Sequence, residues 1–254
     1  MSDPNAHGQF LAEPTVDIEM PESALAIGAH PDDIEFGCGA TLAKWAAGGC
    51  KIYHFVCTDG SKGTWDPLQD RDLLVAQRRA EQLEASRILG GEGRVEFGGW
   101  VDGELQSTLE QRSVVAKHIR TVKPQVVLGH DPWKRYRLHP DHRNAGFLVT
   151  DGIVAARDPL FFPEHGLPPH RPDKLLLWEA DVPDHLELVA QYEDIKLQAL
   201  LAHRSQFRST MRIDSDDDGE ALSAFAARIR SRHSTAGSSF GYGPAEAFKL
   251  IEGL

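Results

Sequence analysis

Residues 23–49 read SALAIGAHPDDIEFGCGATLAKWAAGG. The apolar run 23–29 ends at His30 and has the length and character of a buried strand. Residues 38–47 then read as a helix, closed by Gly48-Gly49. A strand, an acidic turn and a helix open a βα unit, and the pattern continues outward. Residues 51–58 alternate and are β-branched or aromatic, so they form a second strand. Helical spacing covers 73–89, a short strand 94–97, and a helix 111–122. A strand at 125–128 runs into Gly129-His130-Asp131-Pro132, and a helix spans Pro140 to about Arg157. Such alternation at about 30-residue intervals predicts an α/β fold. It is a Rossmann-like, mostly parallel sheet with helices on both faces and an active site at the carboxyl ends of the strands.

Beyond this core, 159–173 holds five prolines and is expected to be a loop. Strands are expected at 175–178 and 186–189, and helices at 192–202 and 221–230. Residues 214–218 read as a solvated acidic loop. Residues 1–22 lack a period and are expected to form a flexible tail or a strap across the surface. No internal repeat or linker divides 23–254, which is expected to be a single domain.

The chain has 254 residues, 27 Lys and Arg against 38 Asp and Glu, and a net charge of −11. No basic run accumulates, which argues against nucleic acid as a partner. No apolar stretch reaches the roughly 18 residues of a membrane helix, so no membrane insertion is expected. The first twenty residues contain no Lys or Arg and no apolar core like that of a secretory signal. Three cysteines without a C-x-x-C pair suggest neither a disulfide framework nor a thiolate zinc site. The expected setting is a reducing cytoplasm.

Chemistry concentrates in two places. His30 and Asp33 are three apart at the end of the first strand and can address one centre. Imidazole nitrogen and carboxylate oxygen together suit zinc, and Asp32 between them stays free for acid–base work. A helix start with acidic residues in its first turn explains the same letters without a metal. The second place is His139-Pro140-Asp141-His142, with Pro140 suited to the first helical position. His30, Asp33 and one of His139 or His142 make three ligands with an open position, the arrangement of a catalytic zinc. The other histidine is then available to the substrate, with Asp141 to orient it. Gly37-Cys38-Gly39 begins like a dinucleotide fingerprint, but Leu42 replaces the third glycine and the acidic turn would repel a pyrophosphate. These glycines fit tight helix–strand packing instead, and Cys38 fits a small buried residue.

With these residues in view, the chain resembles the LmbE-like (PIG-L) family of zinc-dependent N-acetylglucosamine deacetylases. The resemblance rests on A-H-P-D-D-x-E at 29–35 and H-P-D-H at 139–142. Thr58-Asp59-Gly60, Arg78 with Glu81, Asp102, the His203 to Gln206 segment and Glu246 extend it. It implies a hydrolase that removes an N-acetyl or other N-acyl group from a small-molecule amino sugar or glycoconjugate. It also implies zinc (Zn2+) held by His30, Asp33 and His142. Asp32 is then the general base, and His139 stabilises the oxyanion or protonates the amine, with Asp141 tuning it. Arg78 and Asp102 fall at substrate-contact positions, although an ion pair with Glu81 would account for Arg78. Ligand type alone leaves Fe2+ open as the metal in air-free cells, and a homo-oligomer is also left open. Thr64 stands where thiol-biosynthesis members carry Glu, which speaks against that substrate. The alternatives are an amidase acting on a thiol conjugate or an N-acylated natural product, and a non-catalytic metal- or sugar-binding relative. The loop 159–173 and the Trp65 and Trp133 regions are the expected specificity elements, against a role for the tryptophans in core packing. The resemblance leaves the roles of His203, Gln206 and Glu246 open, a structural role at a helix end standing beside a site role for His203.

Overall fold

A computed structural model describes residues 13–213 and 219–254. Eight strands form one sheet: β1 (Thr15–Val16), β2 (Ser23–Gly28), β3 (Lys51–Thr58), β4 (Val95–Trp100), β5 (Val126–His130), β6 (Lys174–Trp178), β7 (His185–Leu188) and β8 (Ala245–Glu252). Their order is β1-β7-β8-β6-β5-β2-β3-β4. Every pairing is parallel except those of β8, which runs antiparallel to both β6 and β7. The helices are α1 (Asp33–Ala47), α2 (Arg71–Ile88), α3 (Leu109–Val122), α4 (Pro140–Arg157), α5 (Glu193–Leu201) and α6 (Gly219–Ser238).

Side chains of a strand alternate between faces, and β2 shows what that does in the centre of a sheet. Ala24 and Ala26 pack with Ile34, Leu42 and Trp45 of α1. Leu25 and Ile27 pack with Val115 and Ile119 of α3 and Leu148 and Val149 of α4. Both faces are thus covered, which is why the strand reads as an unbroken apolar run. Phe36, α5 and α6 enclose a third, smaller core around Leu200, Met211, Phe225 and Ile229.

The structure departs from the sequence-based elements in four places. First, Thr15–Val16, within the stretch expected as tail or strap, pairs with β7. Asp17 accepts from the Leu188 N–H and pairs with Lys44. Residues 1–12 and the acidic loop 214–218 lie outside the described residues. Second, α1 begins at Asp33 instead of residue 38. It is broken at Cys38 (φ −147°, ψ 18°), and the break frees the N–H groups of Ala40 and Thr41. The Glu246 carboxylate of β8 accepts both, at 3.2 and 2.8 Å. Third, β8 itself was not expected as a strand. Fourth, the Pro-rich 159–173 loop joins α4 to the start of β6, so it lies at the amino edge of the sheet. Arg120 clamps it by donating to the carbonyls of Asp158, Phe161 and Phe162. None of its residues lines the cleft described below.

Candidate active site

Strand β2 leads to β3 on one side and lies against β5 on the other. That is a topological switch point, where chain connections diverge and leave a crevice beyond the carboxyl ends. A cleft of about 550 Å³ opens there, and His30, Asp32, Asp33, His130, His139 and His142 all line it. The turn after β2 supplies the first three, β5 ends in His130, and the start of α4 supplies the last two.

Asp33 sits in the middle. Its Oδ2 is 3.1 Å from His30 Nδ1 and 3.3 Å from His130 Nε2, and its Oδ1 is 3.4 Å from His142 Nε2. Burial alone would raise its pKa, but His142 and His130 hold it well below the usual carboxylate range. Burial pushes His142 down to about 4, against the pull of Asp33. Three overlapping groups have ligand atoms within 4.8 Å of one another: His30–His139–His142, Asp33–His130–His142 and His30–Asp102–Asp141. The donor chemistry fits a metal at His30 and Asp33. His30 Nε2 lies 3.0 Å from Asp141 and 3.3 Å from Asp102, so both ring nitrogens face carboxylates. A neutral imidazole has one N–H. Burial opposes charge on the ring, but Asp102, Asp141 and Asp33 favour a protonated His30 and hold its pKa well above the usual imidazole range; a cation at Nδ1 and Asp33 would take the place of that proton.

Asp141 therefore differs from its expected role. Its carboxylate holds His30, not His139, and also accepts the N–H groups of Gly103 and Leu105 at 2.6 and 3.2 Å. His139 instead caps α4. Its Nδ1 accepts the Asp141 N–H at 3.3 Å, so a neutral His139 carries its proton on Nε2. Burial and the nearby His30 keep His139 below the usual imidazole range.

Asp32 is 5% exposed. Burial pushes its carboxyl up to about 6, opposed by Arg78 and raised further by Asp33. Arg78 is itself buried, 3.6 Å from the Asp32 carboxylate, and donates to the carbonyls of Pro31 and Gly60. Its guanidinium ties the turn after β2 to the loop after β3. The alternative, an ion pair of Arg78 with Glu81, is not formed among the described residues; Glu81 accepts from Ser205 N and Oγ. Asp102 lines the cleft and accepts the Lys62 N–H at 3.0 Å. His203 is fully buried, 3.3 Å from Glu35. Burial opposes charge on its ring, but the Glu35 contact prevails and raises its pKa. Cys38 is buried, and burial pushes its thiol far up, so it is no nucleophile. Trp65 and Trp133 are 71% and 60% exposed, which removes them from the core.

Several residues at the site were not singled out from the sequence, among them His130, Arg137 and Gln82. His130 ends β5 as His30 follows β2, and that parallel was the available signal. Trp178 Nε1 donates to its Nδ1 at 2.9 Å. Arg137 donates to His142 Nδ1 at 2.9 Å and pairs with Glu179. Gln82, on the buried face of α2, carried no signal in a single sequence.

Comparison with known proteins agrees with this architecture. The family model described as "PIG-L: GlcNAc-PI de-N-acetylase" matches residues 25–153. Diacetylchitobiose deacetylase of Thermococcus kodakarensis is 34% identical over 202 residues, covering 78% of this chain and 73% of that protein. A 1D-myo-inositol 2-acetamido-2-deoxy-alpha-D-glucopyranoside deacetylase of Streptomyces avermitilis is 33% identical, over 57% of each chain. The solved structure of N,N'-diacetylchitobiose deacetylase from Pyrococcus horikoshii superposes with a TM-score of 0.82 at 30% identity, covering 92% of this chain and 85% of that one. The glycines, acids and histidines that build the cleft lie largely within the matched segment, and the chain belongs to the PIG-L, or GlcNAc-PI de-N-acetylase, family.

Proposed function

We propose that this protein is a metal-dependent N-deacetylase acting on an N-acetylated amino sugar or glycoconjugate, with His30, Asp33 and His142 holding zinc. The observation that carries this reading is the cleft in which Asp33 lies 3.1 to 3.4 Å from nitrogens of His30, His130 and His142, beside the buried carboxyl of Asp32. Asp33 is held ionised among imidazoles, while Asp32 is lifted to about 6, where a carboxylate can both take and return a proton near neutral pH. The named relatives are deacetylases of acetylated amino sugars. Zinc at such a site supplies Lewis acidity to a carbonyl and acidifies water.

The chain's own groups then divide the work. Asp32 removes the proton from the attacking water. His139, neutral and protonated on Nε2, offers a hydrogen bond to the oxyanion that develops on the amide oxygen. Asp141 holds His30 from behind and fixes which ring nitrogen faces the metal. The leaving amine takes its proton from Asp32, which has just gained one. Arg78 keeps Asp32 directed into the cleft.

The test is release of free amine from N-acetylglucosamine and a panel of its glycosides. Apo protein, zinc-reloaded protein and Asp32→Ala are run side by side. Zinc-dependent release that disappears in the variant supports the assignment. Silence across the panel with one equivalent of zinc bound overturns the substrate class.

A further inference from the structure

Asp32 carries a side chain yet has φ 104° and ψ −24°. This lies beyond the ordinary left-handed basin, where a Cβ is crowded and glycine is the easy occupant. Something must hold it there. The peptide unit before it is the Pro31 carbonyl and the Asp32 N–H, and α2 grips that unit at both polar ends. Arg78 Nη2 donates to the Pro31 oxygen, and Gln82 Oε1 accepts the Asp32 N–H at 3.0 Å. The two side chains are four residues apart and so share one face of the helix. A flip of this peptide would let Asp32 relax, but it would break both bonds in the interior.

Gln82 is fully buried, and its other end donates from Nε2 to Glu35 Oε1 at 2.7 Å. One neighbour is a donor and the other an acceptor, which sets the orientation of the amide. Glutamate here would oppose the Glu35 carboxylate, and methionine would leave two polar groups buried without partners. An amide of this length satisfies both.

We propose that Gln82 is a positioning residue which, with Arg78, locks the Pro31–Asp32 peptide so that Asp32 is held in its strained conformation facing the cleft. The catalytic consequence rests on the reading of Asp32 as the general base; the conformational claim does not. The two are tested separately.

The first arm needs no substrate. Asp32→Gly and Asp32→Ala both lack the carboxylate and differ in tolerance for positive φ. With Gln82 present, the glycine variant melts about 2–4 °C above the alanine variant. In the Gln82→Met background the Asp32 N–H loses its acceptor and only the Arg78 grip remains, so that advantage shrinks to within about 1 °C. An undiminished advantage overturns the proposal, whatever the protein's activity. Should Gln82→Met not yield folded protein, Arg78→Met releases the other end of the same peptide and must shrink the advantage in the same way. The second arm uses the enzyme with Asp32 intact. Gln82→Met lowers kcat by about 10- to 100-fold, with KM within about twofold and the zinc dissociation constant, from chelator competition, unchanged. An unchanged kcat, in a preparation where Asp32→Ala is inactive, overturns the positioning role alone. If the unaltered protein releases no amine from any acylated sugar, the deacetylase reading fails, and the melting comparison still decides the conformational claim.

Discussion

Adjacent carboxyls on one turn are pushed in opposite directions here because their neighbours differ. Asp33 faces three imidazoles, whereas Asp32 is buried, with Arg78, His203 and His30 offsetting desolvation and Asp33 adding to it. The expected outcome of Asp32→Ala is retained zinc with loss of most turnover, checked by metal analysis and amine release on the same sample. His142→Ala should lose zinc, and stoichiometric zinc in the purified variant would remove His142 from the ligand set. His130 contacts Asp33 from the side and is itself held by Trp178. Groups that orient a metal ligand in this way typically matter by 10- to 100-fold in affinity. His130→Leu is accordingly expected to weaken zinc binding by about that factor, and an unaltered dissociation constant would show that Asp33 needs no such support.

Helices set these residues in place, and two of them carry features that stability measurements can read. The break in α1 depends on Glu246, whose carboxylate caps the second half of the helix and pairs with Lys196 at 2.6 Å. Glu246→Ala leaves Lys196 buried without that partner and reopens the cap. The expected loss is about 3–5 kcal/mol, measured by urea unfolding. On α3, His118 packs its ring 5.3 Å from Phe55, and burial pushes its pKa down to about 4. The unfolded chain binds this proton near the ordinary value of about 6.5. Between about 6.5 and 4 the unfolded state therefore holds more protons, so His118 makes stability fall as pH drops through that window. His118→Phe should flatten the melting temperature in that range; an identical pH profile would assign the acid sensitivity to other groups.

Across the sheet, the site lies between β2 and β5, while β1 forms the opposite edge beyond β7 and β8. There Thr15 bonds His185, and Ile18 N–H donates to Glu187, a fully buried carboxylate that also pairs with Lys44. A chain starting at Glu19 should melt several degrees lower, as exposed edge groups and an unshielded Glu187 require, on a scale of about 2–4 °C per kcal/mol for a chain of this size. Its rate of amine release at low temperature should be unchanged, since none of the described residues of that strap lines the cleft. A proportional loss of rate would tie the strap to the site. Among the described residues, no helix is long and apolar enough to cross a membrane.

Short-range order was legible before any coordinates. The strand, acidic turn and helix at 23–47 and the His139–His142 cluster each lie within one turn or one period. Local sterics and hydrophobic spacing act over that range, and the parallel α/β sheet follows from repeating the unit. Groups that meet from far along the chain were not legible. Glu246 reaches the break in α1 from about 200 residues away, and β8 enters the sheet antiparallel between β6 and β7. Asp141 lies two residues from His139 yet serves His30, because the helix start turns its carboxylate across the crevice. His130 and Gln82 each looked like one more polar residue in its element. Their roles exist only once packing brings a carboxylate to the first and a strained peptide to the second, because a hydrogen bond reports distance in space and a periodicity reports distance along the chain.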